Sequence, residues 1–171
     1  GFYNILECSK EFKIKHLIFS STSSVYGNHN KIPYKEDMKT DKPTSFYAAT
    51  KKMGEIMAYP YSHLYKLNIT CVRLFTVYGP YGRPDMALFK FVKAMIDGNK
   101  ITLYNRGNHI RDFTYIDDVT DSIYAILIKN IRLKNKIPYK IVNIGRGKPE
   151  NLLNYLKVIS KFFVNKPKVK Y

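Results

Sequence analysis

Two side chains four positions apart, Tyr47 and Lys51, carry the chemistry that this chain could do. Near the start of a helix that spacing puts them on one face. A free tyrosine has a pKa of about 10 and is a poor base at neutral pH. A neighbouring ammonium and the positive amino end of a helix both favour the phenolate. A tyrosine tuned this way can take a proton from a hydroxyl group as hydride leaves the same carbon. Thr22, at the mouth of a predicted strand, could hydrogen-bond that hydroxyl and hold it in line. Taken alone the pair is a weak signal. Tyrosine is abundant (15 residues), and the competing reading is chance on a solvated helix face.

The elements that must position these groups follow from periodicity. Residues 1–12 read as an amphipathic helix with Phe2, Ile5, Leu6 and Ser9 on one stripe. Residues 15–20 are a short apolar run, a strand buried on both faces, and the hydroxyl cluster 20–24 follows at its carboxyl end. Residues 28–45 form a polar connection. A helix over 45–65 carries Tyr47 and Lys51, and Pro60 within it predicts a kink, since it removes an amide from the ladder. A second buried strand covers 68–75, and 78–84 is a turn-rich loop. A helix over 86–97 ends at Gly98. Short strands over 101–104 and 111–115 flank a turn at Gly107. Asp117 caps a helix through about Lys129, with Val119, Ile123, Ile126 and Leu127 inward. A strand over 139–144 and a helix over 152–163 complete the series. Strands alternating with helices predict an α/β fold with a mostly parallel sheet.

Composition narrows the classes. The 171 residues are 45% hydrophobic and 25% charged, as in an ordinary globular domain. The longest apolar run, 123–128, is far short of the ~18 residues that a membrane span needs. The first residues lack a basic and apolar leader pattern. Cys8 and Cys71 have no metal-ligand spacing and read as reduced core cysteines of a cytoplasmic protein. The net charge of +16, from 29 basic and 13 acidic residues, first suggests nucleic acid. However, the lysines are scattered, and the basic run near the end of the chain, 161–170, has no arginine for reading base edges. The charge therefore reads as compositional drift that would help to gather an anionic small substrate. No metal, nucleic acid or membrane partner is expected.

Four stretches set the pair in context. They are Phe19-Ser20-Ser21-Thr22-Ser23-Ser24-Val25-Tyr26-Gly27, Ser45-Phe46-Tyr47-Ala48-Ala49-Thr50-Lys51, Arg73-Leu74-Phe75-Thr76-Val77-Tyr78-Gly79-Pro80 and Arg111-Asp112-Phe113-Thr114-Tyr115-Ile116-Asp117-Asp118. In this order and at this spacing the chain closely resembles the NAD-dependent sugar-nucleotide epimerase/dehydratases, which are extended short-chain dehydrogenases. The resemblance covers essentially the whole chain. It implies a partial Rossmann-like sheet with flanking helices and a small carboxyl-terminal substrate-binding region, and NAD as cofactor. Thr22, Tyr47 and Lys51 match the catalytic residues, with Tyr47, Lys51 and Phe75 against the cofactor. Ser23, Ser24, Thr76, Arg83 and Arg111 match positions facing a UDP-sugar. Arg111 matches the arginine that binds the diphosphate, for which a bidentate guanidinium is suited; its competing reading is a surface salt bridge with Asp112.

The slots after Thr22 bear on the reaction. The family's 4,6-dehydratases carry an Asp-Glu pair there, and its UDP-glucuronate decarboxylases a glutamate in the second slot. Ser23 and Ser24 can be neither such acid nor such base. What remains is oxidation at C4 to a 4-keto sugar and return of hydride to the other face. The loop 78–87 is similar to that of bacterial UDP-glucuronate 4-epimerases, in which the residues matching Arg83 and Thr76 hold the sugar carboxylate. The competing reading of Arg83 is a turn-stabilising residue; Tyr26, Tyr78 and Tyr81 read as loop packing.

The family's glycine-rich phosphate turn has no counterpart here, and Gly1 aligns with the helix before the fourth strand. The expectation is a single domain over 1–171 truncated at both ends. Residues 1–78 would be the second half of the Rossmann-like part and 79–171 mostly substrate-binding. The resemblance implies a homodimer through helices 1–12 and 45–65. The alternatives to an active UDP-glucuronate 4-epimerase are another UDP-hexose 4-epimerase, an inactive remnant, or one subunit of a split enzyme completed by a separate amino-terminal chain.

Overall fold

The structure, a computed structural model, describes residues 1–29, 31–128, 137–164 and 167–170. In chain order the elements begin with α1 (Phe2–Glu11), β1 (Leu17–Thr22), α2 (Phe46–Tyr65), β2 (Ile69–Leu74) and β3 (Thr76–Tyr78). Next come α3 (Ala87–Ile96), β4 (Lys100–Thr102), β5 (Ile110–Arg111), β6 (Phe113–Tyr115) and α4 (Ile116–Ile128). The last are β7 (Tyr139–Ile144), β8 (Glu150–Asn151), α5 (Leu152–Ser160) and β9 (Lys168–Lys170). Short 3-10 turns occupy Ser23–Tyr26 and Tyr104–Gly107. The chain forms two compact units, Gly1–Phe75 with Asp117–Ile144, and Thr76–Ile116 with Gly145–Tyr171.

In the first unit β1, β2 and β7 make a parallel sheet with β2 in the centre. The predicted α/β class with a mostly parallel sheet is what the chain adopts. Being central, β2 buries its first five residues, which is why its sequence is nearly continuous in apolar or small side chains. Leu6, Ala58, Leu67, Ile69 and Cys71 form the core, joining α1 and α2 to the strands. Burial pushes the Cys71 thiol up to about 12, so it stays protonated at neutral pH.

Several local expectations are corrected. Strand β1 runs on through Thr22, so the hydroxyl cluster lies partly within it. Ser21 and Thr22 are its buried residues, while Leu17–Phe19 are only half-buried. On α1 the buried residues are Leu6 and Ser9; Ile5 is 51% exposed and Cys8 is also exposed. On α4 Val119 and Ile126, seven apart and so on one face, are buried, whereas Leu127 is exposed. The predicted end of this helix at Lys129 lies outside the described residues. Apart from these corrections, α2 has helix on both sides of Pro60. Ile56 and Pro60 are both exposed, so water can bond the carbonyl that the proline leaves unpaired.

The second unit is built from two-stranded pairings, β3 with β6, β4 with β9, and β5 with β8. Its core is Phe91, Met95, Ile101, Leu103, Leu156 and Ile159. The strand predicted over 101–104 stops at Thr102. Asn105 and Arg106 then turn the chain with φ of 49° and 50° ahead of Gly107. Gly98 follows α3 at φ 67°, the left-handed cap that its sequence position implies. Among the described residues no helix is long and apolar enough to cross a membrane, and no group of metal-ligating side chains occurs.

Gly54 marks a close approach of α2 to β1, because a Cβ there would lie 2.3 Å from Phe19 Cζ. Gly54→Ala is expected to lower stability by about 1–3 kcal/mol in a urea titration, despite alanine's better helix propensity. An unchanged midpoint would contradict this packing.

Candidate active site

Thr22 ends β1, opposite Leu74 of β2. Its hydroxyl caps the following 3-10 turn, accepting from the Ser24 amide at 3.2 Å and donating to Ser24 Oγ at 3.3 Å. Ser24 therefore orients the hydroxyl that the sequence singled out, and Ser23 sits beside it in the same turn. Ser45 caps α2 by accepting from the Ala48 amide at 3.1 Å, which fixes where the helix begins and puts Tyr47 in its first turn. Tyr47 is 53% exposed, as a group that must meet a ligand should be. One turn on, Lys51 Nζ donates to the Ser20 carbonyl at 2.7 Å. It lies 5.9 Å from the Tyr47 ring centroid and 5.4 Å from that of Phe19. The structure thus brings Lys51 to Tyr47 and ties it to β1 two residues before Thr22. Phe75 follows β2, its amide on the Ile144 carbonyl at 3.2 Å and its ring 6.4 Å from that of Tyr34.

A buried ion pair that sequence reasoning missed lies under this site. Glu55, one turn beyond Lys51, and Arg73 of β2 are each 1% exposed. Arg73 donates Nε to Oε1 at 2.8 Å and Nη2 to Oε2 at 2.9 Å, and Ser21 Oγ donates to Oε1 at 2.7 Å. Lys52 Nζ stands 3.5 Å from Oε2. The guanidinium also lies over the Tyr26 ring, 4.8 Å from its centroid. Tyr26 stacks on Tyr34 and donates to Asn143 Oδ1 at 2.8 Å, which bears out its reading as loop packing. Burial pushes the Glu55 carboxyl up, but the hydrogen bonds from Arg73 and Ser21 and the charges of Arg73 and Lys52 outweigh it, so it sits below the ordinary value. The signal was present in the sequence. Tyr47, Lys51 and Glu55 repeat every four residues, and an arginine amid Cys71-Val72-Arg73-Leu74 is a charge in a buried strand that demands a partner.

The remaining predicted residues belong to the second unit. Thr76 opens β3, its amide on the Asp112 carbonyl at 3.0 Å. Arg83 is exposed and paired with Asp85, Nε to Oδ1 at 3.0 Å and Nη2 to Oδ2 at 2.5 Å, and this pairing holds the Asp85 carboxyl below the usual range. Arg111 is exposed on β5, with Nη1 on the Ile110 carbonyl at 2.9 Å. The salt bridge weighed for it with Asp112 is not what Asp112 makes. That carboxylate is buried and accepts from the amides of Arg146 at 3.0 Å and Gly147 at 2.7 Å, with Thr114 Oγ1 at 3.3 Å. Tyr78 packs against Tyr115 and Tyr155. Tyr81, expected to pack, is fully exposed.

A parallel sheet with a threonine and a tyrosine–lysine pair at its carboxyl end is an α/β arrangement of the kind that places ligands at strand ends. Comparison with known proteins makes the class specific. Residues 1–145 match the NAD dependent epimerase/dehydratase family, and the chain belongs to that family. It is 48% identical over 172 residues to protein CapI of Staphylococcus aureus, covering 93% of this chain and 51% of that protein. It is 42% identical over 172 residues to the UDP-glucuronate 4-epimerase of Thermodesulfobacterium geofontis, covering 100% of this chain and 51% of that enzyme. A solved UDP-glucuronic acid 4-epimerase from Bacillus cereus, in complex with UDP-glucuronic acid and NAD, superposes with a TM-score of 0.85 at 34% identity. The match covers 99% of this chain and 52% of that one. The chain spans about half the length of the curated relatives it matches.

The ion pair makes stability depend on pH with a definite sign. A folded carboxyl pKa below the unfolded one means that the unfolded chain binds more protons. The contribution of Glu55 is therefore present above its ordinary value of 4.5 and lost as pH falls through the lower folded value. Urea midpoints of the wild type and Glu55→Gln should differ clearly at neutral pH and converge in acid. A gap independent of pH would contradict the pairing.

Proposed function

We propose that this chain carries the catalytic residues of an NAD-dependent 4-epimerase acting on a UDP-hexuronic acid, interconverting UDP-glucuronate and UDP-galacturonate. The observation that carries the proposal is the Lys51–Tyr47 pair tied to the end of β1 beside Thr22, with serines rather than an acid–base pair in the next two positions. The relatives' names and the Bacillus cereus complex support the same reading.

The residues fit the cofactor chemically. An ammonium has three donors, and Lys51 uses one on Ser20, which suits the others to ribose hydroxyls. Phe75 offers a ring face at the end of the neighbouring strand. NAD, when bound, supplies a reversible hydride acceptor. Tyr47 would take the proton of the C4 hydroxyl at its phenolic oxygen and return it later, with Lys51 stabilising the phenolate. Thr22, oriented by Ser24, would hold that hydroxyl in line. Arg111 would bind the diphosphate, and Arg83, with Thr76, the sugar carboxylate, exchanging Asp85 for a ligand of the same charge. No group at Ser23 or Ser24 would eliminate water or assist loss of carbon dioxide. Incubation with NAD and UDP-glucuronate should yield UDP-galacturonate in preference to turnover of neutral UDP-glucose, and Tyr47→Phe should slow it by about 10²–10⁴-fold. Absence of product, even with a complementing amino-terminal fragment, would contradict the proposal.

A second copy of the chain is the partner that α1 and α2 would meet. Tyr3, Ile5, Met53, Ile56 and Leu64 are all exposed, apolar surface that a homodimer would cover. Ile56→Glu should shift the sedimentation coefficient from dimer to monomer; a wild type that sediments as a monomer would contradict the pairing.

A further inference from the structure

We infer that Glu55 is a positioning residue for the tyrosine–lysine pair, acting through Arg73 and Ser21; the inference rests on the catalytic reading of Tyr47 and Lys51 given above. Among the described residues its hydrogen-bond and ion-pair partners are Ser21, Arg73 and Lys52 rather than Tyr47 or Lys51. Its role follows from where its partners stand. In the register of the sheet Ser21, Arg73 and Asn143 lie side by side, one from each strand. The next row toward the carboxyl ends is Thr22, Leu74 and Ile144. Glu55 is bonded to two members of the lower row, Ser21 and Arg73, and Lys51 is bonded to the carbonyl of Ser20. Successive turns of α2 are thus fastened to successive residues of β1. A helix rises about 5.4 Å per turn and a strand about 3.3 Å per residue. Two attachments one turn apart fix both the height of α2 on the sheet and its rotation about its own axis.

The bidentate geometry sharpens this fixation. Both carboxylate oxygens of Glu55 face the guanidinium fork, which holds an orientation as well as a distance. The third member of the row carries the constraint to the loop that follows the 3-10 turn. Asn143 accepts from Tyr26 OH, donates Nδ2 to the Tyr34 carbonyl at 3.1 Å, and its amide donates to Glu36 Oε1 at 2.8 Å. Arg73 Nη1 lies 3.4 Å from the Glu36 carbonyl. One row of side chains therefore sets the helix bearing Tyr47, the turn bearing Ser24 and the loop residue that faces Phe75.

The test separates position from folding and from turnover. In the triple variant Ser21→Ala, Glu55→Met, Arg73→Met the polar cluster is replaced by apolar groups of similar size, which buried ion pairs commonly tolerate in stability. Acetylation by a lysine-reactive ester, followed by mass spectrometry, reads the exposure of Lys51 against exposed Lys90. With the melting temperature retained, Lys51 should be acetylated about threefold faster or more as it leaves Ser20. In the UDP-glucuronate assay kcat should fall by about tenfold or more, with KM nearly unchanged. A folded triple variant with wild-type acetylation of Lys51, or with full kcat, would overturn the inference. Were the triple variant unfolded, Glu55→Asp, which keeps the charge and shortens the reach, decides on the same two readouts. A wild type without turnover would count against the proposed function alone, since the acetylation readout still decides whether Glu55 positions Lys51.

Discussion

The ion pair of Glu55 with Arg73 is the constraint on which the rest of the first unit depends. Removing two charges from water costs several kcal/mol each, and their attraction returns this only with good geometry and full hydrogen bonding. Here the geometry is bidentate, and Ser21, Lys52 and the Tyr26 ring surround the pair. The net gain in stability over a well-packed apolar cluster is therefore small. Its benefit is directional: a hydrophobic contact between α2 and β1 would let the helix slide or roll, whereas a fork bonded to a fork does not. Loss of one partner alone would strand a buried charge at a cost of about 3–5 kcal/mol, so the two residues must be present together.

Carboxylates do this work in both units, in different ways. In the second unit the oxygens of Asp112 take the amides of Arg146 and Gly147, while its own carbonyl takes the Thr76 amide. The strand ends that carry Arg111 and Thr76 are thereby held by one residue between them. Glycine at 147 suits the φ of 74° that the gripped turn adopts. Serine in the two positions after Thr22 then defines what the site lacks. Ser24 can orient a hydroxyl, but neither serine can serve as a general acid or base near neutral pH, so in the proposed reaction the proton traffic would fall to Tyr47.

Much of this was legible in the sequence where periodicity and capping act locally. The α/β alternation, the start of α2 near Ser45, the end of α3 at Gly98 and the pairing of Tyr47 with Lys51 all follow from short-range rules. Buried polar contacts did not announce themselves in the same way. Arg73 sits within a motif whose apolar neighbours predict a buried strand, yet its partner lies 18 residues earlier and no spacing rule joins a helix to a strand across a turn. Asp112 was read with its neighbour Arg111, although successive residues of an extended segment face opposite ways. The stripes on α1 and α4 failed for a related reason. An apolar residue at helical spacing can face the core or stay exposed, and Ile5 and Leu127 stay exposed. Pro60 is accommodated within α2, where its missing bond falls on the wet side of the helix.

In the proposed reaction the proton would leave through Tyr47 while the hydrogen on C4 departs and returns as hydride to the same carbon. The most direct test of this uses UDP-glucuronate labelled with deuterium at C4, turned over in ordinary water with NAD. The account predicts UDP-galacturonate that keeps the deuterium at C4. Product that has exchanged it for solvent hydrogen would mean removal of a proton from carbon, and would contradict the account.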